Sequence, residues 1–251
     1  MKKYYTRACN FYYGNVSKDL TKKKLSLPLC GNNKISFDKI EIITRNKKKI
    51  SSQVININKI NSQNLLLRNK IKKDIKKITK KRNFFNSIHI MGILNMTPDS
   101  FSDGGKFNNV PKAFKKIKLM IKSGATIIDV GGESTRPGSN TVLPNLEWKR
   151  IESVIKNFKK KYPNTILSVD TRKSEIMRKS INYKVDIIND VSSFSFDSKS
   201  VIKIDEFNVW KVIHHMQGTP QTMQKNPKYK NVLLDIYDFF EDKIENQFKN
   251  K

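Results

Sequence analysis

The sequence is short of several things. Its 251 residues include two cysteines, three histidines, eight prolines and ten glycines. Cys9 and Cys30 have no Cys/His cluster around them, which excludes a disulfide-built miniprotein and gives no zinc-ligand spacing. Sparse Gly and Pro exclude a collagen-like chain. No apolar run approaches the roughly 18 residues that cross a bilayer, so no membrane partner is expected. The start, Met1-Lys2-Lys3-Tyr4-Tyr5, lacks the apolar region of a signal peptide. A reduced, cytoplasmic setting is the expectation. Acids are scarce too: 22 Asp and Glu stand against 50 Lys and Arg, a net charge of +28.

The charge is uneven. Residues 1–87 hold 23 Lys/Arg and 4 acids, whereas residues 88–251 hold 27 and 18. A basic stretch with Lys runs at 22–24, 47–49 and 76–77 raises nucleic-acid binding as a reading. No RNP aromatic motif or helix-turn-helix pattern accompanies it. Lys, Asn and Ile are abundant almost everywhere, a chain-wide bias that raises the charge without selecting a partner. Arg, the better residue for phosphates and bases, is scarce. No nucleic-acid partner is expected.

Residues 1–87 have weak texture. Ile35-Ser36-Phe37 and Ile40-Glu41-Ile42-Ile43 read as short strands, with Gly31-Asn32-Asn33 read as a turn between them. The stretch 46–83 is rich in Lys, Asn and Ser, with a helix around 64–78. The expectation is a basic N-terminal extension, small or partly disordered, with a basic linker. From residue 88 to 251 the pattern alternates. Apolar strands are expected at 88–95, 126–130, 166–170, 186–191 and 209–216. Between and after them, apolar residues at helical spacing predict helices around 114–124, 146–158, 174–181, 198–206 and 232–248. The last carries Val232, Leu233, Ile236, Tyr237, Phe240 and Ile244 on a face expected to be core.

Near-continuous apolar strands alternating with helices imply a helix-covered parallel sheet. A doubly wound sheet and a (β/α)8 barrel compete. Polar residues cluster at the strand ends: Asn95, Asp129, Asp170, Asn189, and His214 with His215. Their convergence favours the barrel. Gly131-Gly132-Glu133 has the wrong spacing for either phosphate loop.

Two segments are highly specific: Gly92-Ile93-Leu94-Asn95-Met96-Thr97-Pro98-Asp99-Ser100-Phe101-Ser102-Asp103-Gly104-Gly105, and Gly124 through Gly138 with Asp129-Val130-Gly131-Gly132-Glu133-Ser134-Thr135-Arg136-Pro137-Gly138. Ser168-Val169-Asp170-Thr171, Ile187-Ile188-Asn189-Asp190-Val191 and His215-Met216-Gln217-Gly218-Thr219-Pro220 follow in order. Together they resemble the dihydropteroate synthases over about residues 88–245. The resemblance implies an α/β chain of the (β/α)8 TIM-barrel type. It also implies a reaction joining 6-hydroxymethyl-7,8-dihydropterin diphosphate to 4-aminobenzoate, with Mg²⁺ assisting. The products would be 7,8-dihydropteroate and diphosphate, and the family commonly forms homodimers.

Residue by residue, Asn95 matches the family's Mg²⁺ position. Thr135 and Arg136 suit diphosphate oxygens. Asp170 and Asn189 match the pterin-contacting positions, and Asp129 would line the same floor. Phe101 and Asp103 lie on a first loop that, with the second loop 133–139, closes over the aminobenzoate. His215 fits the fifth-strand motif, and His214 departs from the apolar residue common there. Catalytic roles thus fall to Arg136, Asp103 and Phe101. Substrate binding falls to Thr135, Asp170, Asn189, Asp129 and His215.

Taken singly, each residue has a duller reading. Asn95, Thr97 and Asp99 suit a turn, Asp129 and Asp170 suit helix caps or Lys pairing, and Arg136 suits a surface. Five polar strand ends inside five ordered motifs reverse those odds. A barrel needs eight units, and five precede Lys251. The family's later Asp-Pro-Gly, Ser-Arg-Lys and Arg-x-His motifs are not among them. The expectation is an incomplete barrel of about five βα units: a truncated synthase, inactive alone. Two other readings stand behind it. One is the pterin-binding barrel of a methyltetrahydrofolate methyltransferase, which lacks the 97–105 and 134–138 loops. The other is a non-catalytic basic nucleic-acid-binding protein.

Overall fold

A computed structural model describes residues 2–81, 88–97, 110–134, 136, 138–200 and 208–247. The chain divides into two compact units, residues 1–88 and 89–251.

The first unit is built on one long strand. β1 (Lys2–Tyr13) leads through α1 (Gly14–Lys22) and β2 (Leu27–Leu29) into β3 (Asn32–Asn46), then β4 (Lys49–Asn56) and α2 (Leu65–Thr79). β3 pairs antiparallel with β1 along one side and with β2 and β4 along the other. The β2–β3 turn places Cys30 at φ 50° and Gly31 at φ 71°. Positive φ at both central residues is the two-residue hairpin geometry that matches strand twist. A Cβ on Gly31 would also lie 2.8 Å from the Lys81 Cβ. The side chain of Asn64 caps α2 by accepting the Leu67 N–H at 3.0 Å. From there Leu67 and Ile71 pack with Phe37, Ile40 and Ile42 of β3, with Ile75 and Ile78 at the margin.

This corrects the expectation for residues 1–87. The two short strands are one, and the turn at Gly31 precedes it instead of dividing it. The apparent break at Asp38-Lys39 is a functioning part of the strand: the Asp38 carboxylate accepts from Asn10 Nδ2 (2.7 Å) and from the Tyr12 hydroxyl (3.1 Å) across on β1. The polar stretch read as a linker is β4, exposed along most of its length, followed by the solvent side of α2. An edge strand and a one-sided helix bury few residues each, so their composition imitates a disordered segment.

The second unit follows the expected alternation. β5 (Met91–Asn95), α3 (Val110–Lys122), β6 (Ile127–Gly131), α4 (Pro144–Lys161), β7 (Ile166–Asp170), α5 (Ser174–Ile181), β8 (Ile187–Asp190), β9 (Trp210–Ile213) and α6 (Val232–Asp242) succeed one another, with a π-helical turn at Lys243–Gln247. The expected helix at 198–206 lies mostly outside the described residues. The five strands are parallel and hydrogen-bonded in sequence order, β5-β6-β7-β8-β9. A doubly wound sheet reverses its strand order at a switch point, and the described strands show none.

In register, Leu94, Val130 and Val169 alternate with Asn95, Gly131 and Asp170. Leu94, Ile128, Val130, Leu167, Val169 and Ile188 form one core with Ile117, Ile151, Val154, Phe158 and Ile176 of α3, α4 and α5. Each such side chain contributes roughly 1.5–3 kcal/mol through burial. The helices thus cover one face of the sheet and leave the polar residues on the other, as in a barrel wall and unlike a doubly wound sheet. α6 and the π-helical turn after it depart from expectation. Only Leu234 is buried in α6, while Val232, Leu233, Tyr237 and Ile244 are 37–55% exposed.

Candidate active site at the strand C-termini

Parallel register gathers the polar strand ends. Asn95, Gly131, Asp170 and Asn189 are consecutive partners across β5 to β8. They therefore share a face at one end of the sheet. Gly131 is the gap between them. A Cβ added there would stand 3.5 Å from Asp170 Oδ2 and 3.7 Å from Asn95 Oδ1.

One layer below lies Asp129, only 4% exposed. Its Oδ2 accepts a hydrogen bond from Asn189 Nδ2 at 3.0 Å, reaching past β7. Its Oδ1 is buried with no hydrogen-bond partner. Burial pushes the Asp129 carboxyl above the usual range, outweighing its hydrogen bonds. Asp170 is pushed well above it, by burial first and then by Asp129, Glu147, Asp190 and Glu133. The floor is thus rich in acceptors, with Asp129 buried beneath Asp170 and Asn189, built at an electrostatic cost and suited to a ligand edge carrying N–H donors.

Asp190 is buried but serves the chain itself. It accepts from the Ser192 N–H and hydroxyl and from the Phe194 N–H, all at 2.7–2.9 Å. That fixes a turn in which Ser193 and Phe194 have positive φ.

The loop after β6 is tied at several points. The hydroxyl of Ser139 donates to Ser134 O at 2.5 Å, and the Gly138 N–H to Pro220 O at 3.2 Å. Gly132 is required where the loop leaves the strand, since a Cβ would sit 2.7 Å from the Glu147 carbonyl oxygen. Arg136 is exposed, and its guanidinium makes no ion pair with a described carboxylate. Phe101, Asp103 and Thr135 lie outside the described residues.

His215 is not brought to the floor. Its ring stands edge-on to Phe239 at 4.8 Å, with Tyr229 and Phe240 at 5.8 and 6.4 Å. The reason is parity: Val212 is the partner of Asn189, so strand alternation gives the floor face to Val212 and sets Ile213 and His215 on the other.

Four charged residues passed over in the sequence form the most buried polar group of the site. Glu133, Glu147, Arg172 and Lys173 are 0–6% exposed. Arg172 and Lys173 donate to Glu133 at 2.5 and 2.7 Å, and Lys173 also to Glu147. Burial pushes Glu133 up, but donation from Lys173, Val142 and Arg172 holds it below the usual carboxylate range. Glu147 has its charge shared less, and burial raises it despite Lys173. The available signal was position: Arg172-Lys173 stands two and three residues beyond a strand-end Asp, where two cations need acids.

Among the described residues, no three His, Cys, Asp or Glu side chains gather as a metal cluster. Mg²⁺ commonly takes one or two protein oxygens and fills the rest with water and substrate phosphates. The Asn95 carboxamide oxygen beside the Asp170 carboxylate is compatible with that sparse kind of ligation.

Comparison with known proteins gives a consistent picture. A family described as "Pterin binding enzyme" matches residues 91–249. Dihydropteroate synthase of Escherichia coli K12 is 44% identical over 156 residues, covering 62% of this chain and 55% of that protein. A Yersinia pestis dihydropteroate synthase crystallised with a sulfonamide drug complex superposes with TM-score 0.59 at 38% identity, over 64% of this chain and 58% of that one. A Burkholderia cenocepacia dihydropteroate synthase complexed with 7,8-dihydropteroate superposes with TM-score 0.56 at 32% identity, over 66% and 55%. The chain spans about half the length of the curated relatives it matches.

Proposed function

Because this chain belongs to the family of pterin binding enzymes, we propose that its second unit supplies the pterin floor and diphosphate-facing loop of a dihydropteroate synthase. The reaction would displace diphosphate from 6-hydroxymethyl-7,8-dihydropterin diphosphate with 4-aminobenzoate.

The observation that carries the reading is the acceptor floor. A pterin presents amide and amine N–H groups along one edge. Asp170 and the outward oxygen of Asn189 accept from such an edge, while Asp129 holds the Asn189 amide by its nitrogen. Binding a donor-rich edge relieves the crowding of Asp170 by Asp129, Glu147, Asp190 and Glu133.

Breaking the C–O bond to diphosphate leaves negative charge on the departing oxygens, which a guanidinium stabilises in place. Arg136, exposed and without a described acidic partner, fills that role. Asn95 would hold Mg²⁺ together with the substrate phosphates, where the ion would neutralise leaving-group charge. Thr135 would add a hydroxyl to the same oxygens, and Phe101 and Asp103 would close over the aminobenzoate.

The reading takes the setting as cytoplasmic. It assigns residues 1–88 no nucleic-acid partner; retention of RNA or DNA on a filter at low salt, lost as salt rises, would contradict that.

The test is titration of the chain with 6-hydroxymethyl-7,8-dihydropterin diphosphate, followed by pterin fluorescence. Saturable binding that Asn189→Ala weakens supports the proposal. An absence of binding at millimolar ligand, with the chain folded, overturns it.

A further inference from the structure

One carboxylate closes the base of the loop that carries Arg136. Glu133 opens the loop, and its Oε2 accepts the Val142 N–H at 2.7 Å, nine residues further on. The same oxygen accepts Lys173 Nζ at 2.7 Å. Its Oε1 accepts Arg172 Nε at 3.0 Å and Nη2 at 2.5 Å. Arg172 and Lys173 stand two and three residues beyond Asp170. A single side chain therefore joins both ends of loop 133–142 to the segment leaving the pterin floor.

We propose that Glu133 is a positioning residue: it sets the loop so that Arg136 meets the diphosphate of a ligand whose ring end rests on Asp170 and Asn189. This rests on the pterin reading above and adds a residue to it.

Stability alone is a poor account of the arrangement. Replacing a buried ion-pair network with apolar residues is commonly neutral or favourable, because taking charges out of water costs several kcal/mol per ion. What charges supply here is direction. The Arg172 fork meets Glu133 through two nitrogens, a geometry that tolerates little rotation. Lys173 spans Glu133 and Glu147, which ties the loop base to the first turn of α4. The tip of the loop is held by weaker, uncharged bonds, among them Ser139 to Ser134 within the loop and Gly138 to Pro220 outside it. Without Glu133, the described loop keeps one long hydrogen bond to the β7 tail, from Arg172 Nη2 to Thr141 Oγ1 at 3.4 Å, and no described ion pair to it.

The experiment compares two ligands on the whole chain: 6-hydroxymethyl-7,8-dihydropterin and its diphosphate. The readout is the ratio of their dissociation constants, the increment that the diphosphate adds. Glu133→Gln should leave affinity for the plain pterin within about twofold but cut the diphosphate increment about tenfold or more, as misplacing a charged group does. Arg136→Ala should cut the same increment, and the double variant should lose little beyond either single one. Val142→Pro removes the N–H that Glu133 accepts while keeping all four charges. It should reproduce the effect in part, and it serves if Glu133→Gln does not fold. Equal weakening of both ligands would reduce Glu133 to a structural residue and overturn the inference. An unsubstituted chain that binds neither ligand would overturn the pterin reading itself. An unsubstituted chain that binds both, with an increment untouched by Glu133→Gln and Val142→Pro, would overturn the positioning role alone.

Discussion

The two units of this chain are both rich in lysine, yet they treat charge in opposite ways. Among the described residues of 1–88 the buried polar groups are Ser17, Ser26, Ser36 and Asp74. The three serines are hydrogen-bonded in a chain, Ser36 Oγ standing 2.9 Å from Ser17 Oγ and 2.8 Å from Ser26 Oγ, and Ser17 donates to the Asn33 carbonyl at 2.8 Å. In residues 89–251 the buried groups include Asp129, Glu133, Glu147, Arg172, Lys173 and Asp190. These lie at or just beyond the C-terminal ends of β6, β7 and β8, or on α4 facing them. Surface charge is cheap, so its density says little about what a protein does. Burying charge is expensive, so its location marks where geometry is being held. The more basic unit is the electrostatically quieter one.

The largest expected effect strikes the buried network. Lys173→Met leaves Glu133 and Glu147 without their shared cation and should lower stability by about 3–5 kcal/mol, read by chemical denaturation. In the first unit a loss of that size takes a core residue: Phe37→Ala should cost about 3–5 kcal/mol. A small effect of Lys173→Met would erase the contrast between the units.

Next comes the floor. Asp170→Ala leaves a donor on the ligand unpaired and should weaken pterin binding by about 1–3 kcal/mol. Lys24→Ala or Lys72→Ala in the first unit should leave that binding unchanged. An equal effect of both kinds of variant would mean that binding follows overall charge.

A pH dependence sharpens the same point. The folded chain holds the Asp170 proton more tightly than the unfolded chain does. Stability from this group is present below its unfolded value, about 3.9, and is lost as pH rises through the raised folded value. Asp170→Asn should therefore raise the unfolding midpoint at pH 7, and the gain should shrink toward pH 4. A gain independent of pH would show that ionisation of Asp170 is not what costs stability.

The smallest effect belongs to a surface pair. Arg7 and Glu41 bridge at 2.6 Å, but the Arg7 side chain is 57% exposed. Arg7→Ala should cost about 0–1 kcal/mol, falling further with salt.

The contrast also explains what could be read in the sequence. The second unit announced itself because a parallel sheet buries whole strands and leaves continuous runs such as Ile166 to Val169. Its polar strand ends then stood out, and Asp129, Asp170 and Asn189 were placed correctly on one face. His215 was misplaced because the sequence does not show the register: Val212 pairs with Asn189, which puts His215 on the opposite face from the floor. Glu133 and Lys173 were missed because a single charged residue carries no periodicity, and its partner lies forty positions away. In the first unit, strand β3 was cut at Asp38-Lys39, since only the pairing with β1 reveals that Asp38 has partners there.

Hydrogen exchange measured along the chain, with and without 6-hydroxymethyl-7,8-dihydropterin diphosphate, tests the division of labour most directly. Protection is predicted at the ends of β5 to β8 and in loop 133–142, with residues 2–81 unchanged. Protection confined to residues 2–81, or its absence from the strand ends at saturating ligand, would contradict the account.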